Sequence, residues 1–462
     1  MDLKNYKHIY MCGIGGISMS GLAEILTSWN FTVSGSDGIQ SKITDHLIEK
    51  GINVIIGQKE ENITNDIDLF VYTAAIRKDN PEYVAAQNLG IKMIERGEFL
   101  GELTKLFKTT IGISGTHGKT TTTSLVSCIF LRANTDPSIQ VGSLLKQIDG
   151  NFRVGKSDYF IIEACEYCDS FLNFKQHSAI ITNIDNDHLD YFKNLDNIIL
   201  SFKKYMDNIA EDGYVVINKD DENAMKVCEA VKSNLITYSI KDKADVYADN
   251  IRYDELGNGI FDLYHNDTLL GEVHLSVPGE HNVSNAVAAA ALSLMYNIDF
   301  ESIQLGLNDY TGASRRLEYK GTLNGAPVYD DYAHHPTEIE ATASGFLKRK
   351  HATSWAIFEP HTYSRAHEHK EAFAKVLQVF DNIILTDIYA AREKNTFDIS
   401  SKDLENKINS LIPNKAIYIP DFNNVVSYLK ENISENDIII TNKPYRNRYE
   451  KEFRYIYSRS VL

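Results

Sequence analysis

Short apolar runs alternate with amphipathic stretches from the start of the chain. His8–Cys12, Thr32–Ser34, Val54–Ile56 and Leu69–Tyr72 read as strands, and Met19–Trp29, Lys42–Lys50 and Pro81–Leu89 as helices. Strands separated by helices predict a parallel sheet, because parallel neighbours need a long crossover. A second unit opens near Lys108, with strands expected at Thr110–Ser114, Tyr159–Glu163, Ala179–Asn183 and Tyr214–Ile217. Residues 244–277 break the rhythm with short β-like segments punctuated by Asn and Gly, which suggests an antiparallel patch. The helix Asn282–Tyr296 closes this unit. After Arg316, strands are expected at Val328–Tyr329, Ser354–Phe358, Asn382–Thr386, Ala416–Ile419 and Asp437–Thr441, with helices between them. A chain of 462 residues fits about three domains.

Two strand-to-helix turns are rich in glycine. Gly115-Thr116-His117-Gly118-Lys119-Thr120-Thr121 follows a strand and precedes a helix, the context of a phosphate-binding loop. Glycines let the backbone wrap an anion, and the helix N-terminus supplies unpaired N–H groups. Lys119 can reach the β- and γ-phosphates, and the Thr120 hydroxyl can ligate Mg²⁺. The match is incomplete: the usual first glycine of the loop is Ile113 here. The second turn is Cys12-Gly13-Ile14-Gly15-Gly16-Ile17-Ser18-Met19-Ser20-Gly21. It is close to a dinucleotide motif but has Ser18 at the third glycine position. Ser36 and Asp37 end the next strand, where an acidic side chain commonly bonds a ribose hydroxyl. A nucleotide or nucleotide-sugar phosphate suits it better than a nicotinamide cofactor, and a close-packed βα turn without ligand is the competing reading. Two anion-binding turns in one chain suggest two nucleotide-bearing substrates in separate domains.

Acidic, histidine and arginine side chains collect at the expected strand ends. Glu163, Glu166 and Asp169 follow one strand, and Asp187 and His188 another. Strand ends of a parallel sheet converge on one edge, so Glu163 and His188 could meet a triphosphate through Mg²⁺, although His is an unusual ligand for that ion. Asn282 and Asn285, in Gly279-Glu280-His281-Asn282-Val283-Ser284-Asn285, suit adenine recognition and helix capping about equally. Arg315 and Arg316 precede the third unit. Asp330-Asp331-Tyr332-Ala333-His334-His335-Pro336 follows its first strand, and His361-Thr362-Tyr363-Ser364-Arg365 a later one. An Asp/His pair can take a proton from an ammonium group, and Arg can clamp a carboxylate or a transferring phosphoryl group. Surface ion pairing is the competing reading for each.

Composition narrows the partners. The formal net charge of −16 argues against non-specific nucleic-acid binding. No apolar run approaches the ~20 residues that span a bilayer. Residues 1–10 lack a signal-peptide core, so a cytoplasmic location is expected. Five cysteines, Cys12, Cys128, Cys165, Cys168 and Cys228, argue against a disulfide framework. Cys165 and Cys168 form one CxxC pair, short of the four ligands of a structural zinc site.

Taken in order, the glycine turn Gly13–Gly21, the loop Gly115–Thr121, Asn183–His188, Gly279–Asn285, Arg315-Arg316 and Asp330–Pro336 resemble the Mur ligase family, over nearly the whole chain to about Thr441. Each motif alone is weak; their combination and order are specific. Within that family the turn Gly15-Gly16-Ile17-Ser18-Met19 looks most like the ligases that add L-alanine to UDP-N-acetylmuramic acid. A ligase that attaches a preformed peptide to the same nucleotide sugar is the nearest alternative.

The resemblance implies an α/β fold of three domains. These would be a Rossmann-like UDP-sugar domain (1–107), a central P-loop ATPase-like domain with an antiparallel patch (108–316), and a Rossmann-like amino-acid domain (317–462). It implies ATP and Mg²⁺ as cofactors, a place in peptidoglycan precursor synthesis, and a monomer or weak homodimer. By similarity, Lys119, His188, His334 and Arg365 are catalytic. Gly115, Thr116, His117, Gly118, Lys119, Thr120, Thr121, Asn282, Asn285, Arg316 and Asp330 hold ATP, and Thr120, Glu163 and His188 hold the metal. Gly15, Gly16, Met19, Ser20, Ser36, Asp37, Glu166, His334 and Arg365 bind the substrates.

Two departures stand out. The family pattern Glu-Ala-Asp-Glu-Ser-Asp reads Glu163-Ala164-Cys165-Glu166-Tyr167-Cys168 here, so two acidic positions are cysteines. After Thr441 a basic, aromatic tail beginning Asn442-Lys443-Pro444-Tyr445-Arg446 replaces the usual Gly-rich turn and final helix.

Overall fold

The computed structural model describes the chain except residues 2, 74, 255, 313–316, 392 and 443–462, and the side chain of Asp190. Arg316 and the atypical tail from Lys443 therefore lie outside the described residues.

The first sheet has five strands: β1 (His8–Cys12), β2 (Thr32–Asp37), β3 (Asn53–Ile56), β4 (Leu69–Tyr72) and β5 (Lys92–Glu95). Their order is β3-β2-β1-β4-β5 and every neighbouring pair is parallel. The order reverses direction at β1, so the turns after β1 and β4 diverge and open a crevice at the carboxyl edge. β1 begins and ends as the apolar run predicted. β5 and the helix Arg96–Thr104 carry little periodicity and were not anticipated.

The central sheet contains β6 (Thr109–Ser114), β7 (Ser138–Leu145), β8 (Gly150–Arg153), β9 (Tyr159–Glu163), β10 (Ser178–Ile181), β11 (Tyr214–Asn218), β12 (Asn234–Ser239) and β13 (Val246–Tyr253). Their order is β13-β12-β11-β10-β6-β9-β7-β8. Pairing is parallel from β7 to β13, and β8 returns antiparallel on β7. β14 (Asn258–His265) and β15 (Thr268–Pro278) continue the sheet beyond β13. Asn266 and Asp267, both at positive φ (47° and 61°), form the two-residue connection between them. Hydrogen-bonded neighbours joined by so short a turn must be antiparallel, as expected for this stretch.

The helix Lys119–Arg132 follows β6 and is buried along most of its length. Four consecutive threonines are poor helix formers. Here the hydroxyls of Thr123, Ser124 and Ser127 donate to carbonyls four residues earlier (2.8, 2.8 and 2.7 Å), so the polar atoms are satisfied inside the core.

By contact density the chain divides into two compact units. One comprises residues 1–249, 263–271 and 285–309, and the other 250–262, 272–284 and 310–462. The first unit thus contains both the first sheet and most of the central one. The hairpin β7–β8 packs on the helix Ile17–Ser28. Gly21 makes this contact: a Cβ there would lie 2.3 Å from the Phe152 ring.

The second unit carries β16 (Glu318–Leu323), β17 (Ala326–Asp331), β18 (Ser354–Phe358), β19 (Asn382–Leu385), β20 (Ala416–Tyr418) and β21 (Ile438–Asn442) in the order β16-β17-β21-β18-β19-β20. All pairs are parallel except the β16–β17 hairpin. Apolar clusters cover both faces, one around Phe346, Phe373 and Leu377 and the other around Trp355, Phe422 and Leu429.

Gly21→Ala tests the close approach of hairpin and helix. Alanine favours a helix by ~1 kcal/mol over glycine, but overpacking costs about 1–3 kcal/mol. The whole Phe152 ring must move, so the substitution should lower stability, read as a reduced urea midpoint.

Candidate active site

The loop between β6 and its helix is shaped before any ligand arrives. Gly115 (φ 132°) and Gly118 (φ 84°) adopt conformations that favour glycine. A Cβ on Gly115 would lie 2.1 Å from Thr182 Oγ1, and one on Gly118 2.6 Å from Asn285 Oδ1. The segment after β10 clamps the loop. Asn183 Oδ1 accepts from the His117 N–H (2.8 Å), Asn183 Nδ2 donates to the His117 carbonyl (3.0 Å), and Thr116 Oγ1 accepts from the Asp185 N–H (2.9 Å). The N–H groups of the first helical turn have no partner within the helix.

Lys119 sits across this loop. Its Nζ donates to the carbonyls of Gly115 (2.5 Å) and Thr116 (2.9 Å) and pairs with Glu166 at 2.9 Å. The side chains of Lys119 and Glu166 are 13% and 3% exposed. Burial alone would lower the lysine pKa, but the Glu166 charge and hydrogen bond outweigh it and raise it above the usual range. Lys119 is therefore held charged. Beside it, Thr120 Oγ1 donates to both Glu163 oxygens (3.1 and 2.9 Å), and the Gly142 N–H donates to Glu163 Oε2 (2.8 Å).

The structure thus brings Lys119, Thr120, Glu163 and Glu166 together at the carboxyl ends of β6 and β9. His188 joins them by a different contact: its Nε2 lies 3.9 Å from Glu166 Oε1 and 3.9 Å from Asp187. His188 occupies the left-handed region (φ 54°) at the start of the short helix Leu189–Phe192, with the Tyr167 ring 4.5 Å away. Asp187 accepts from the His188 N–H (2.8 Å) and does not cap the helix through its side chain. Cys165 and Cys168 are free thiols, both exposed.

The N-terminal glycine turn is tied to β2. The N–H groups of Gly13 and Ile14 donate to the Ser36 carbonyl (2.8 and 2.9 Å), and that of Gly15 to Asp37 Oδ2 (3.0 Å). Ser36 is fully buried and gives its hydroxyl to Glu82 (2.5 Å). Met19 packs into the core, and the Ser20 hydroxyl donates to the Ile17 carbonyl (3.1 Å). These side chains build the turn rather than line it. Gly16 caps the helix Ile17–Ser28 without a side-chain bond, so no side chain of the cap occupies its first-turn N–H groups. Sequence reasoning missed Glu82. It is fully buried and also accepts from Tyr10 (2.8 Å) and Asn62 (2.6 Å). Its sole sequence clue is the Asn80-Pro81 helix start before it.

In the second unit, Asp330 accepts from the Thr441 hydroxyl (2.9 Å) at the end of β17. His334 Nδ1 lies 2.9 Å from the Tyr332 carbonyl and 3.3 Å from Glu338, and its ring is 5.4 Å from that of His361. Arg365 Nη1 meets His361 Nδ1 at 2.9 Å. Thr362, a β-branched residue at φ 65°, starts the helix Tyr363–Glu368. Strain of this kind is held in place only where the surroundings enforce it. The Asn282 amide donates to the Pro278 carbonyl (2.7 Å).

Three α/β sheets, a lysine-bearing glycine loop before one helix and a second glycine turn before another have the architecture of a nucleotide-dependent enzyme of three domains. Family models agree along the chain. The Mur ligase family catalytic domain matches residues 8–108, the Mur ligase middle domain 113–293, and the Mur ligase glutamate ligase domain 315–442. The UDP-N-acetylmuramate–L-alanine ligase of Agathobacter rectalis is 48% identical over 446 residues, covering 96% of each chain. That of Acetivibrio thermocellus is 45% identical, covering 96% of this chain and 94% of the relative. The crystal structure of the Thermotoga maritima UDP-N-acetylmuramate–alanine ligase superposes with a TM-score of 0.80 at 26% identity, covering 98% of this chain and all of that one. A murein peptide ligase from Psychrobacter arcticus shares the fold (TM-score 0.70, 24% identity, 99% of this chain and all of that one). The chain belongs to the Mur ligase family, among the UDP-N-acetylmuramate–L-alanine ligases.

Removing one member of the Lys119–Glu166 pair strands a buried charge, which costs about 3–5 kcal/mol. Lys119→Met should lower the urea midpoint accordingly. Adding Glu166→Leu should restore most of that stability, since an apolar pair replaces the ion pair. Equal stability of Lys119→Met and wild type would show that the pair is solvent-screened.

Proposed function

We propose that this chain joins L-alanine to the carboxylate of UDP-N-acetylmuramic acid. It consumes ATP and yields UDP-N-acetylmuramoyl-L-alanine, ADP and phosphate. The near-full-length 48% identity to a ligase of that specificity carries the reading. We assign UDP-sugar binding to residues 1–107, ATP and Mg²⁺ to 108–316, and the amino acid to 317–462.

The residues present fit ATP and Mg²⁺. The loop Gly115–Thr121 leaves no room for a side chain at either glycine, and the Thr120 hydroxyl and Glu163 carboxylate already converge as hard oxygen donors. In this reading Thr120, Glu163 and His188 hold the metal, and the first-turn N–H groups and Lys119 hold the phosphates. Asn282, Asn285, Arg316 and Asp330 serve the remainder of the nucleotide. Bound Mg²⁺ supplies charge neutralisation at the phosphoryl oxygens.

The muramyl carboxylate attacks the γ-phosphorus and the bond to ADP breaks. The amine of L-alanine then attacks the acyl phosphate carbon, and phosphate leaves as the amide forms. Arg365 pairs with the alanine carboxylate. His334, held by Glu338, takes the ammonium proton. Gly15, Gly16 and the helix start at Ile17 bind the diphosphate, with Ser20, Ser36, Asp37 and Met19 holding that turn in shape. Glu166 faces the substrates once Lys119 turns to phosphate.

Phosphate release from Mg-ATP is expected to require both UDP-N-acetylmuramic acid and L-alanine, with the amide product detected by mass. Release that responds instead to a tripeptide acceptor would move the chain to peptide attachment. Arg365→Ala should raise KM for L-alanine by about ten- to a hundredfold, in line with loss of a charge-assisted bond, and leave KM for ATP near the wild-type value.

A further inference from the structure

Two cysteines after β9 flank the residue that holds Lys119. Cys165 and Cys168 are free and exposed, whereas Glu166 between them is buried. The segment is anchored on each side of the pair. Ala164 and Phe171 are fully buried, the Phe171 ring stacks on that of Tyr205 at 4.4 Å, and the Cys165 carbonyl accepts from the Phe171 N–H (3.0 Å). Neither thiol has a part in the function proposed above.

The backbone between the cysteines is a tight turn. Glu166 is right-handed helical (φ −75°, ψ −23°), and Tyr167 opens the short helical segment Tyr167–Asn173. Two successive helical residues bring the Cα atoms on either side of them within about 7 Å. A disulfide spans roughly 4.4–6.8 Å between Cα atoms. Cys165 and Cys168 therefore meet the separation a disulfide needs without a rearrangement of the sheet, and their exposure admits a small reactant.

We propose that Cys165 and Cys168 form a reversible dithiol site for small-molecule disulfides, and that closing it weakens ATP binding by holding Glu166 on Lys119. The effect on ATP rests on the function proposed above; the chemistry of the pair does not. One cysteine thiolate attacks a sulfur of the incoming disulfide, forming a mixed disulfide and releasing one thiolate. The second cysteine thiolate then attacks the protein sulfur of that bond and releases the other. The pair is oxidised by two electrons, and the small disulfide is reduced to two thiols.

Glu166 and Tyr167 are the residues enclosed by the new ring. Glu166 pairs with Lys119 at 2.9 Å, and the Tyr167 ring lies 4.5 Å from that of His188. For Lys119 to take up phosphate, Glu166 must withdraw. A cross-link removes conformational freedom from the turn that carries it, so withdrawal costs more and ATP binds less tightly.

The test equilibrates the full chain with reduced and oxidised glutathione at several ratios. The Cys165–Cys168 bond is mapped by peptide mass, and Kd for ATP is read by calorimetry in each state. Closure should raise Kd for ATP about three- to tenfold, and dithiothreitol should restore it. Cys165→Ser and Cys168→Ser should each stop at a glutathione adduct. The double serine variant should bind ATP like the reduced wild type in either buffer. Glutathione adducts on the single variants without a Cys165–Cys168 bond in the wild type would overturn the proposal. So would equal ATP affinity of the closed and reduced chains, or the same oxidative loss in the double variant, which would place the effect at another thiol such as Cys228. Failure of the reduced wild type to bind ATP would count against the proposed function, while the peptide mass still decides whether the pair closes.

Discussion

Lys119 carries a full charge into a place where its side chain is 13% exposed. An ammonium group in such surroundings needs acceptors for its three N–H donors, and desolvation would otherwise neutralise it. The Gly115 and Thr116 carbonyls and the Glu166 carboxylate supply them. Much of the central domain follows from that requirement. The two carbonyls can turn inward because Gly115 adopts φ 132°. The loop stays in that shape because Thr182 and Asn183 hold the His117 carbonyl from β10. Glu166 arrives from the end of β9, next to β6 in the sheet. The parallel order β10-β6-β9 is what places all three groups on one edge.

The same sheet edge extends toward the first domain through β7. This strand gives its Gly142 N–H to Glu163 and its Gln140 amide to Ser18. Its partner β8 carries Phe152, which seats on Gly21. A small hairpin therefore fixes the spacing between the phosphate loop and the glycine turn. Reactions that join two bound molecules depend on such spacing, since a displacement of about 1 Å can cost a hundredfold in rate. Glu82 plays a comparable part within the first sheet. Its buried carboxylate gathers Tyr10, Ser36 and Asn62 behind the glycine turn, and Ser36 in turn anchors the Gly13 and Ile14 N–H groups.

Where one physical signal dominates, the sequence was legible. β1, β4, β9 and β18 are apolar runs with clear ends, and the structure places them where the pattern does. The phosphate loop was readable because glycine, lysine and threonine each have a separate task there. The hairpin β7–β8 was not, because Gly142 interrupts the apolar run of β7 and β8 is short, with Asn and Arg among its residues. β16 was hidden for a similar reason: it is a partly exposed edge strand with an irregularity between Tyr319 and Gly321. Ser36 and Met19 show a different limit. A motif names residues at a turn, but only the backbone path shows which side chains face the ligand and which face the core.

The saturation of Lys119 has a consequence for nucleotide binding. All three ammonium donors are engaged in this structure, so the phosphate contact proposed for Lys119 would require an exchange, and Glu166 is the partner on a movable side chain. Replacing a carboxylate by a phosphate leaves the lysine paired throughout, whereas a lysine without Glu166 would be buried unpaired whenever ATP is absent, at a cost of several kcal/mol. Glu166 also lies 3.9 Å from His188 Nε2. In the proposed function ATP would displace that carboxylate, and its net affinity would be lower by the strength of the existing pair. One carboxylate thus keeps the buried Lys119 paired, a role that the phosphate of the proposed function would take over.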